Sequence, residues 1–582
     1  MRKVVGGLLA LVAALAAAQP AAAGGHGGDR ALERYAEGTW RSFDAMTDQD
    51  SGLPSDILER DGTRSVQTST TNIGAYMWSA VVAERLRIIR RSELSSRMRR
   101  TIATLEDMER HEESGQFYNW YDHRTGEKLT VWPPSGEPLT PILSSVDNGW
   151  LAVGLKIVAD RVPGLSRRAG ELYDSMDFGF YYRPAVNRML FHYVPDTGGE
   201  ACCYDTIVSE SRIAGYIGVA KGEVPERVYY GAYRSFPDSC DWSWTETRPV
   251  GFTRTYFGTP VYDGSLPYND TLVTPSWGGS MFEALMPALF VPEETWGPGS
   301  WGANHPLTVA AQAHHGLREA GYGYWGFSPA NVPEGGYRTY GVDGIGSDPG
   351  GYPSNNDATL IDHGWEGCPN RPALPDPPPS AYTNGVVTPH AAFLGLRYDP
   401  KATLKNLARL ERDFGIYTRW GFLDSVNVDS GVTSDSYLSL DQGMIMAAIG
   451  NALEHDVLRR AFASHDVERE LRPVIGVEEF SASPRPCTIT GTPRADRLRG
   501  TKRDDVICGL GGDDVIDGRD GDDAIMGDGG DDRIEGGDGD DTLYGGEGDD
   551  RLDGERGRDV LSGGPGADTL KPGWGDHLEP GE

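Results

Sequence analysis

From Gly491 onward the chain can be cut every nine residues without a gap, from GTPRADRLR through GLGGDDVID, GRDGDDAIM and GDGGDDRIE to GGPGADTLK, which ends at Lys571. No other feature restricts the fold so tightly. Position six of every repeat is Asp and position eight is always aliphatic. Glycine tolerates the positive φ that tight turns need, so each repeat can turn and run briefly as a strand. Ile516, Ile525, Ile534, Leu543, Leu552 and Leu561 would then fill a narrow core. The stacked carboxylates would repel one another unless a hard, oxygen-seeking cation lay among them.

This period resembles the calcium-binding nonapeptide repeat of RTX proteins, G-G-x-G-x-D-x-U-x. The resemblance implies a parallel β-roll over 491–571 with calcium as its cofactor, followed by a short C-terminal end, 572–582. The glycine pattern is fullest in the middle, which singles out Asp514, Asp523, Asp532, Asp541 and Asp550 as metal ligands. The first two repeats and the eighth lack a glycine at position four or two.

Composition separates this tail from the rest. Residues 491–582 hold 26 Asp and Glu against 11 Lys and Arg, so they carry 15 of the 32 net negative charges. Such a balance excludes nucleic acid and anionic membrane surfaces as partners, because both demand basic patches. At the other end, residues 1–23 combine two basic residues, a short apolar run and an Ala-rich end, the pattern of a signal peptide. A secreted, extracellular protein is therefore expected, and its six cysteines are read as disulfides. Cys487 and Cys508 are expected to pair. Cys202, Cys203, Cys240 and Cys368 allow three pairings, and spacing does not choose among them. Ser and Pro in 476–490 read as a linker, so a cut between Phe480 and Pro486 should leave a folded large domain, with calcium mattering to the tail alone.

Between them, residues 30–475 show helical apolar spacing at 71–90, 98–108, 147–160, 204–221, 279–290, 304–319, 399–414 and 437–454. Strand-like alternation is scarce, so the domain is mainly α, and its size suits a toroid of helix pairs. The connecting loops are rich in aromatics, acids and amides. Examples are SGQFYNWYD (114–122), SSVDNGWLA (144–152), PSWGGSMFEALMP (275–287), GYGYWGFSPAN (321–331) and RWGFLDSVN (419–427). Aromatic faces pack on the C–H faces of sugar rings while carboxylates and amides take the hydroxyls, so these loops point to a neutral polysaccharide.

TTNIGAY (70–76), SSVDNGWLA, YDTIVSESRIAGYIGVAKGEVP (204–225), SWGGSMFEALMP, GYWGFSPAN, TPHAAFLGL (388–396) and YLSLDQGMIMAAIGNAL (437–453) follow in order along the chain. Together they resemble the glycoamylase-like domain, a group that includes the endo-β-1,2-glucanases of glycoside hydrolase family 144 and a domain of cyclic β-1,2-glucan synthases. The resemblance implies an (α/α)6 barrel and hydrolysis of a β-linked glucan with inversion, with no cofactor for catalysis. Two departures stand out. WGFSPAN lacks the glutamate of the synthase-type WGISES, and the Pro-rich stretch 362–385 has no counterpart.

Inversion needs a protonated acid and a carboxylate that activates water. Asp147, Glu210, Glu283, Asp343 and Asp424 stand in the motif loops. Glu210, at the edge of an expected helix face, is assigned as the acid and Asp424 as the base. Glu283 falls on the first turn of a helix, where the macrodipole alone would favour it. The resemblance places it in the glycan pocket, so it is assigned to substrate binding. Trp150, Trp277, Trp325, Tyr121 and Asn427 join it there, as does Asp147, which could equally cap a helix. A non-catalytic glycan-binding protein and a hydrolase of another polysaccharide remain the competing readings.

Overall fold

The structure, a computed structural model, describes residues 25–235, 249–347, 385–481 and 487–578, apart from 252, 270, 493, 564–565 and 574–576. The expected signal peptide, Cys240, Cys368 and all of the Pro-rich stretch but Gly385 lie outside the described residues. In chain order the α-helices are α1 (Gly25–Met46), α2 (Thr70–Arg85), α3 (Arg91–Asp107), α4 (Ser145–Arg161), α5 (Ser166–Asp174), α6 (Arg212–Ala220) and α7 (Met281–Leu285). There follow α8 (Glu293–Trp296), α9 (Trp301–His314), α10 (Pro389–Leu394), α11 (Pro400–Phe414), α12 (Ser439–Leu453), α13 (Val457–Phe462) and α14 (His465–Ile475).

Two kinds of helix are visible in the sequence, and they take two places. α2, α4 and α12 are apolar on every side and buried over nearly their whole length. A helix of that kind must be surrounded by protein. α3 and α11 bury a single stripe, so they can face water. Accordingly α2 packs on α4 and α12, α4 on α6, α7 on α10, and α10 on α12. Arg212 of α6 closes the ring to α7 by donating to the carbonyls of Glu283 at 3.1 Å and Ala284 at 2.7 Å. Among the described residues six helices thus line the inside. Outside them, α1 backs α12, α3 backs α2, α5 backs α4, α9 backs α7, α11 backs α10 and α14 backs α6. This is the (α/α)6 barrel of the sequence reading.

Two expected helices are shorter than their apolar spacing suggests. The 204–221 segment is helical only from Arg212, and Glu210 stands in the turn before it. The 279–290 segment is broken after Leu285 into a 3-10 turn that starts at Pro287, which has no amide hydrogen to continue the helix.

Beyond the barrel, residues 489–578 wind into a parallel β-solenoid. Two nonapeptides make one turn, so partners stand 18 residues apart: Ile507 pairs with Ile525 and Ile525 with Leu543, while Ile516 pairs with Ile534 and Ile534 with Leu552. The position-eight aliphatics from Ile507 to Leu561 form its buried core. Cys487 is bonded to Cys508, and Cys202 to Cys203.

The expected linker is narrower than 476–490. Glu478 is 1% exposed and ion-paired to buried Arg234, and Phe480 packs edge-on against Trp301 at 5.0 Å. Residues 476–481 therefore belong to the large domain. The solenoid also docks on it. Val250 and Leu272 share an apolar cluster with Val506, Cys508 and Met526, and the Arg254 guanidinium lies 4.8 Å over the Tyr544 ring. No helix among the described residues is long and apolar enough to cross a membrane.

Candidate active site

Carboxylates from several elements act on one another at the ends of the inner helices. Asp147 and Glu283 stand in the first turns of α4 and α7, where Ser144 and Ser280 cap the helices by accepting from their backbone N–H groups at 3.3 Å. Asp441 stands in the first turn of α12. Asp56, Glu210 and Asp424 come from the connections. Asp56 is held by the Asn72 amide at 2.8 Å and the Gln67 amide at 3.3 Å, and Asp147 by the Thr71 hydroxyl at 2.5 Å.

Glu210 is the best equipped as a proton donor. The Trp150 indole N–H donates to its carboxylate at 2.6 Å, and its own backbone N–H donates to Glu283 at 2.9 Å. The Ser209 hydroxyl donates to that same Glu283 oxygen at 2.9 Å. Burial, then the charge of Glu283, push the Glu210 pKa well above the usual carboxylate range. Arg212, the obvious local partner, is committed elsewhere: it forms a buried ion pair with Glu293 at 2.7 Å, which also takes the Tyr216 hydroxyl and His305. Glu210 is only half-buried, so its proton can reach the cleft.

Across the ring, Asp424 accepts from the Asn331 backbone N–H at 2.6 Å and faces Asp441. Burial raises both carboxyls, Asp424 to about 6 and Asp441 well above the usual range, so Asp441 keeps its proton while Asp424 ionises near neutrality. His390 stands behind them, 3.3 Å from Asp441 and held neutral by burial, which lowers its pKa to about 3. Ligand atoms of His390, Asp424 and Asp441 lie within 4.8 Å of one another, close enough to hold a cation.

Of the residues expected to bind sugar, Glu283 and Asp147 join this constellation. Trp277 is half-exposed beside Tyr204 and Phe191, with ring centroids 5.7 and 6.4 Å away. Trp325 and Tyr121 do not fit the expectation. Trp325 is 1% exposed, its backbone clamped by Asn406, and the Tyr121 hydroxyl is spent on the Glu109 carbonyl and the Tyr118 N–H. Trp150 is fully buried and acts on Glu210 rather than on a sugar ring. Asn427 is 7% exposed, and its amide oxygen shapes a turn by accepting from Asp429 and Ser430 at 3.1 Å each. Asp343 lies in a short 3-10 turn against the Gly278–Gly279 backbone. Asp56, Asp441 and His390 were missed. The signal for Asp441 and His390 was present, as a lone acid and a lone imidazole inside apolar helical runs.

The tail has its own donor set. At Asp514, Asp523, Asp532, Asp541 and Asp550, one carboxylate oxygen accepts the backbone N–H of the Asp 18 residues earlier at 2.7–2.8 Å, as in Asp514 to Asp532 at 2.7 Å. The second oxygen is buried with no hydrogen-bond partner in all five. Each orphaned oxygen faces the first glycine of its own repeat: a Cβ at Gly527 would sit 2.3 Å from Asp532 Oδ2, and one at Gly545 2.3 Å from Asp550 Oδ2. A row of bare, buried carboxylate oxygens among backbone carbonyls suits calcium.

Comparison with known proteins agrees with both halves. Residues 254–466 match the Glycoamylase family, described as "Putative glucoamylase", and residues 34–180 match a family of unknown function, DUF3131. Four overlapping copies of the RTX calcium-binding nonapeptide repeat match between 490 and 576. The cyclic beta-(1,2)-glucan synthase NdvB of Rhizobium meliloti is 25% identical over 398 residues, 66% of this chain but only 11% of that protein's length. Among solved structures, the endo-beta-1,2-glucanase of Chitinophaga pinensis superposes with a TM-score of 0.55 at 16% identity, covering 77% of this chain and 97% of its own. The beta-1,2-glucanase of Parabacteroides distasonis gives 0.56 at 16% identity, covering 77% of this chain and 60% of its own. The chain thus resembles the glycoamylase family over residues 254–466, shares its fold with endo-β-1,2-glucanases, and ends in a region that matches RTX calcium-binding nonapeptide repeats.

Proposed function

We propose that the protein is a secreted, endo-acting glycoside hydrolase that cleaves a β-linked glucan, β-1,2-glucan first of all, with inversion. The observation that carries this reading is Glu210, a half-buried carboxyl group kept protonated by burial and by Glu283 at the mouth of a helical barrel. Glu210 protonates the leaving glycosidic oxygen. Asp424, ionised because Asp441 holds the proton of the pair, takes a proton from the attacking water on the other side of the ring. Asp424 is 2% exposed, so the water it activates is one enclosed in the site. Glu283 and Asp147 bind glucose hydroxyls. The linkage is suggested by the β-1,2-glucan chemistry named for NdvB and for both glucanases. Bonded cysteines and calcium repeats suit the oxidising, calcium-rich exterior, hence secretion.

The test is incubation with linear β-1,2-glucan, laminarin, cellulose and starch, with new reducing ends as the readout and ¹H NMR for the first-formed anomer. Reducing ends from β-1,2-glucan, appearing as the α-anomer, are expected. Cleavage of another polymer alone would replace the linkage, and cleavage of none would favour a non-catalytic glycan binder.

A further inference from the structure

Trp120 and Trp132 form an edge-to-face pair, centroids 5.3 Å apart and planes at 84°, and neither is fully buried. Val131 beside them is 50% exposed. Val131–Trp132 pairs with Glu137–Pro138 in a short antiparallel ladder, whose residues other than Trp132 are exposed. Both rings keep part of their surface in water.

Their position is fixed at both feet. Trp120 pairs with Ser69 in an antiparallel ladder whose next same-face pair is Gln67 with Asp122. Directly opposed residues share a face, so Trp120 stands on the face of Gln67, whose amide holds Asp56. At the other foot the Asn119 backbone N–H donates to the Ile142 carbonyl at 3.0 Å, just before Ser144 caps the helix that carries Asp147. The excursion between the feet is therefore rooted between Asp56 and Asp147, two carboxylates of the site that remain partly open to solvent. Trp277, Tyr204 and Phe191 form a separate aromatic group beside Glu210, since the Trp277 backbone N–H donates to the Val208 carbonyl.

We propose that the Trp120–Trp132 pair is a second sugar platform, binding a glucosyl ring of a neutral glucan chain beyond the ring of carboxylates. The proposal rests on the β-glucan reading of the cleft and adds to it a contact that only a longer chain can reach. The acidic mouth selects against anionic polymers. An indole face offers flat apolar area to sugar C–H groups at little cost in side-chain freedom.

The experiment compares wild type, Trp132→Ala and Trp132→Phe, each as the full chain in calcium, on polymeric linear β-1,2-glucan and on short oligosaccharides of the same linkage. Trp132→Ala should raise KM for the polymer by about three- to tenfold, leave kcat unchanged, and leave both constants unchanged on short substrates. Trp132→Phe should recover most of the loss. An unchanged KM on polymer, or an equal loss at every chain length, would overturn the platform while leaving the hydrolase reading intact. If wild type cleaves no glucan, retardation in native gels containing β-1,2-glucan decides the matter. Retardation lost in Trp132→Ala supports the platform, and equal mobility of the two proteins rejects it.

Discussion

Glu210 owes its raised pKa first to burial and then to Glu283, against the pull of Trp150, and the opposition of these two neighbours gives a test that a merely structural carboxylate would not pass. Glu283 raises its pKa by charge, whereas the Trp150 N–H favours the ionised form and lowers it. Removing the charge with Glu283→Gln should move the alkaline limb of kcat/KM to lower pH. Removing the donor with Trp150→Phe should move it to higher pH, because the acid then keeps its proton longer. Glu210→Gln should lower kcat by roughly two to four powers of ten while glucan binding survives. The acid limb belongs to Asp424, and with a pKa of about 6 activity should fall as pH drops through that value. If Glu283→Gln abolishes turnover while Glu210→Gln leaves it intact, the acid is Glu283.

At the scale of elements, the glycines before Glu283 have a structural cause. Gly279 has φ +64°, and a Cβ there would lie 2.0 Å from the Val342 carbonyl oxygen. The turn can pass only because that side chain is missing, and it delivers Ser280 as the cap of α7. Gly279→Ala should therefore cost about 1–3 kcal/mol and lower both melting temperature and activity, whereas Gly415, with nothing within 4 Å, bounds the strain of positive φ alone. The same segment shows where sequence reasoning stops. Apolar spacing over 279–290 gives a helix, yet Pro287 and the packing around it leave five residues of α7. Spacing gave a mainly α domain suited to a toroid of helix pairs, and the family resemblance supplied the (α/α)6 barrel; which helices lie inside follows from α2, α4 and α12 being apolar on all sides. Spacing could not sort the aromatic loops, where an indole in the core and an indole on the rim occur in equally mixed sequence. Trp325, Tyr121 and Trp150 turned inward, and Trp277 did not. Asp56 lies in LPSDILERDG with no aromatic neighbour, so only folding shows that Asn72 and Gln67 hold it beside Asp147. The solenoid was legible to the residue because each nine-residue repeat is half of one geometric turn, so the sequence period carries the register.

For the whole molecule, the docked face of the solenoid changes what calcium should do. Asp514, Asp523 and Asp550 have pKa values raised to about 6, and Asp532 and Asp541 to about 7, by burial and by neighbouring carboxylates. A carboxyl raised on folding favours the fold while protonated, so the calcium-free solenoid should lose stability as pH rises from about 4 to about 7. Calcium takes the ionised form, which reverses this dependence. Melting should not stop at the tail. Val250 and Leu272 are covered by Val506, Cys508 and Met526, and Arg254 lies on Tyr544. Leu272 lies five residues before Trp277 and leads into the turn that carries Glu283. When the solenoid unwinds, that apolar cover is lost, at about 25 cal/mol for each Å² exposed. Chelation at pH 8 should therefore lower the melting temperature of the helical domain as well, read from the loss of helical circular dichroism, and should weaken glucan turnover. A chain ending at Ser481 should fold, melt at that same lower temperature and ignore calcium. If the full chain in chelator keeps the helical melting temperature it has in calcium, the docked cluster contributes nothing to the barrel, and calcium serves the tail alone.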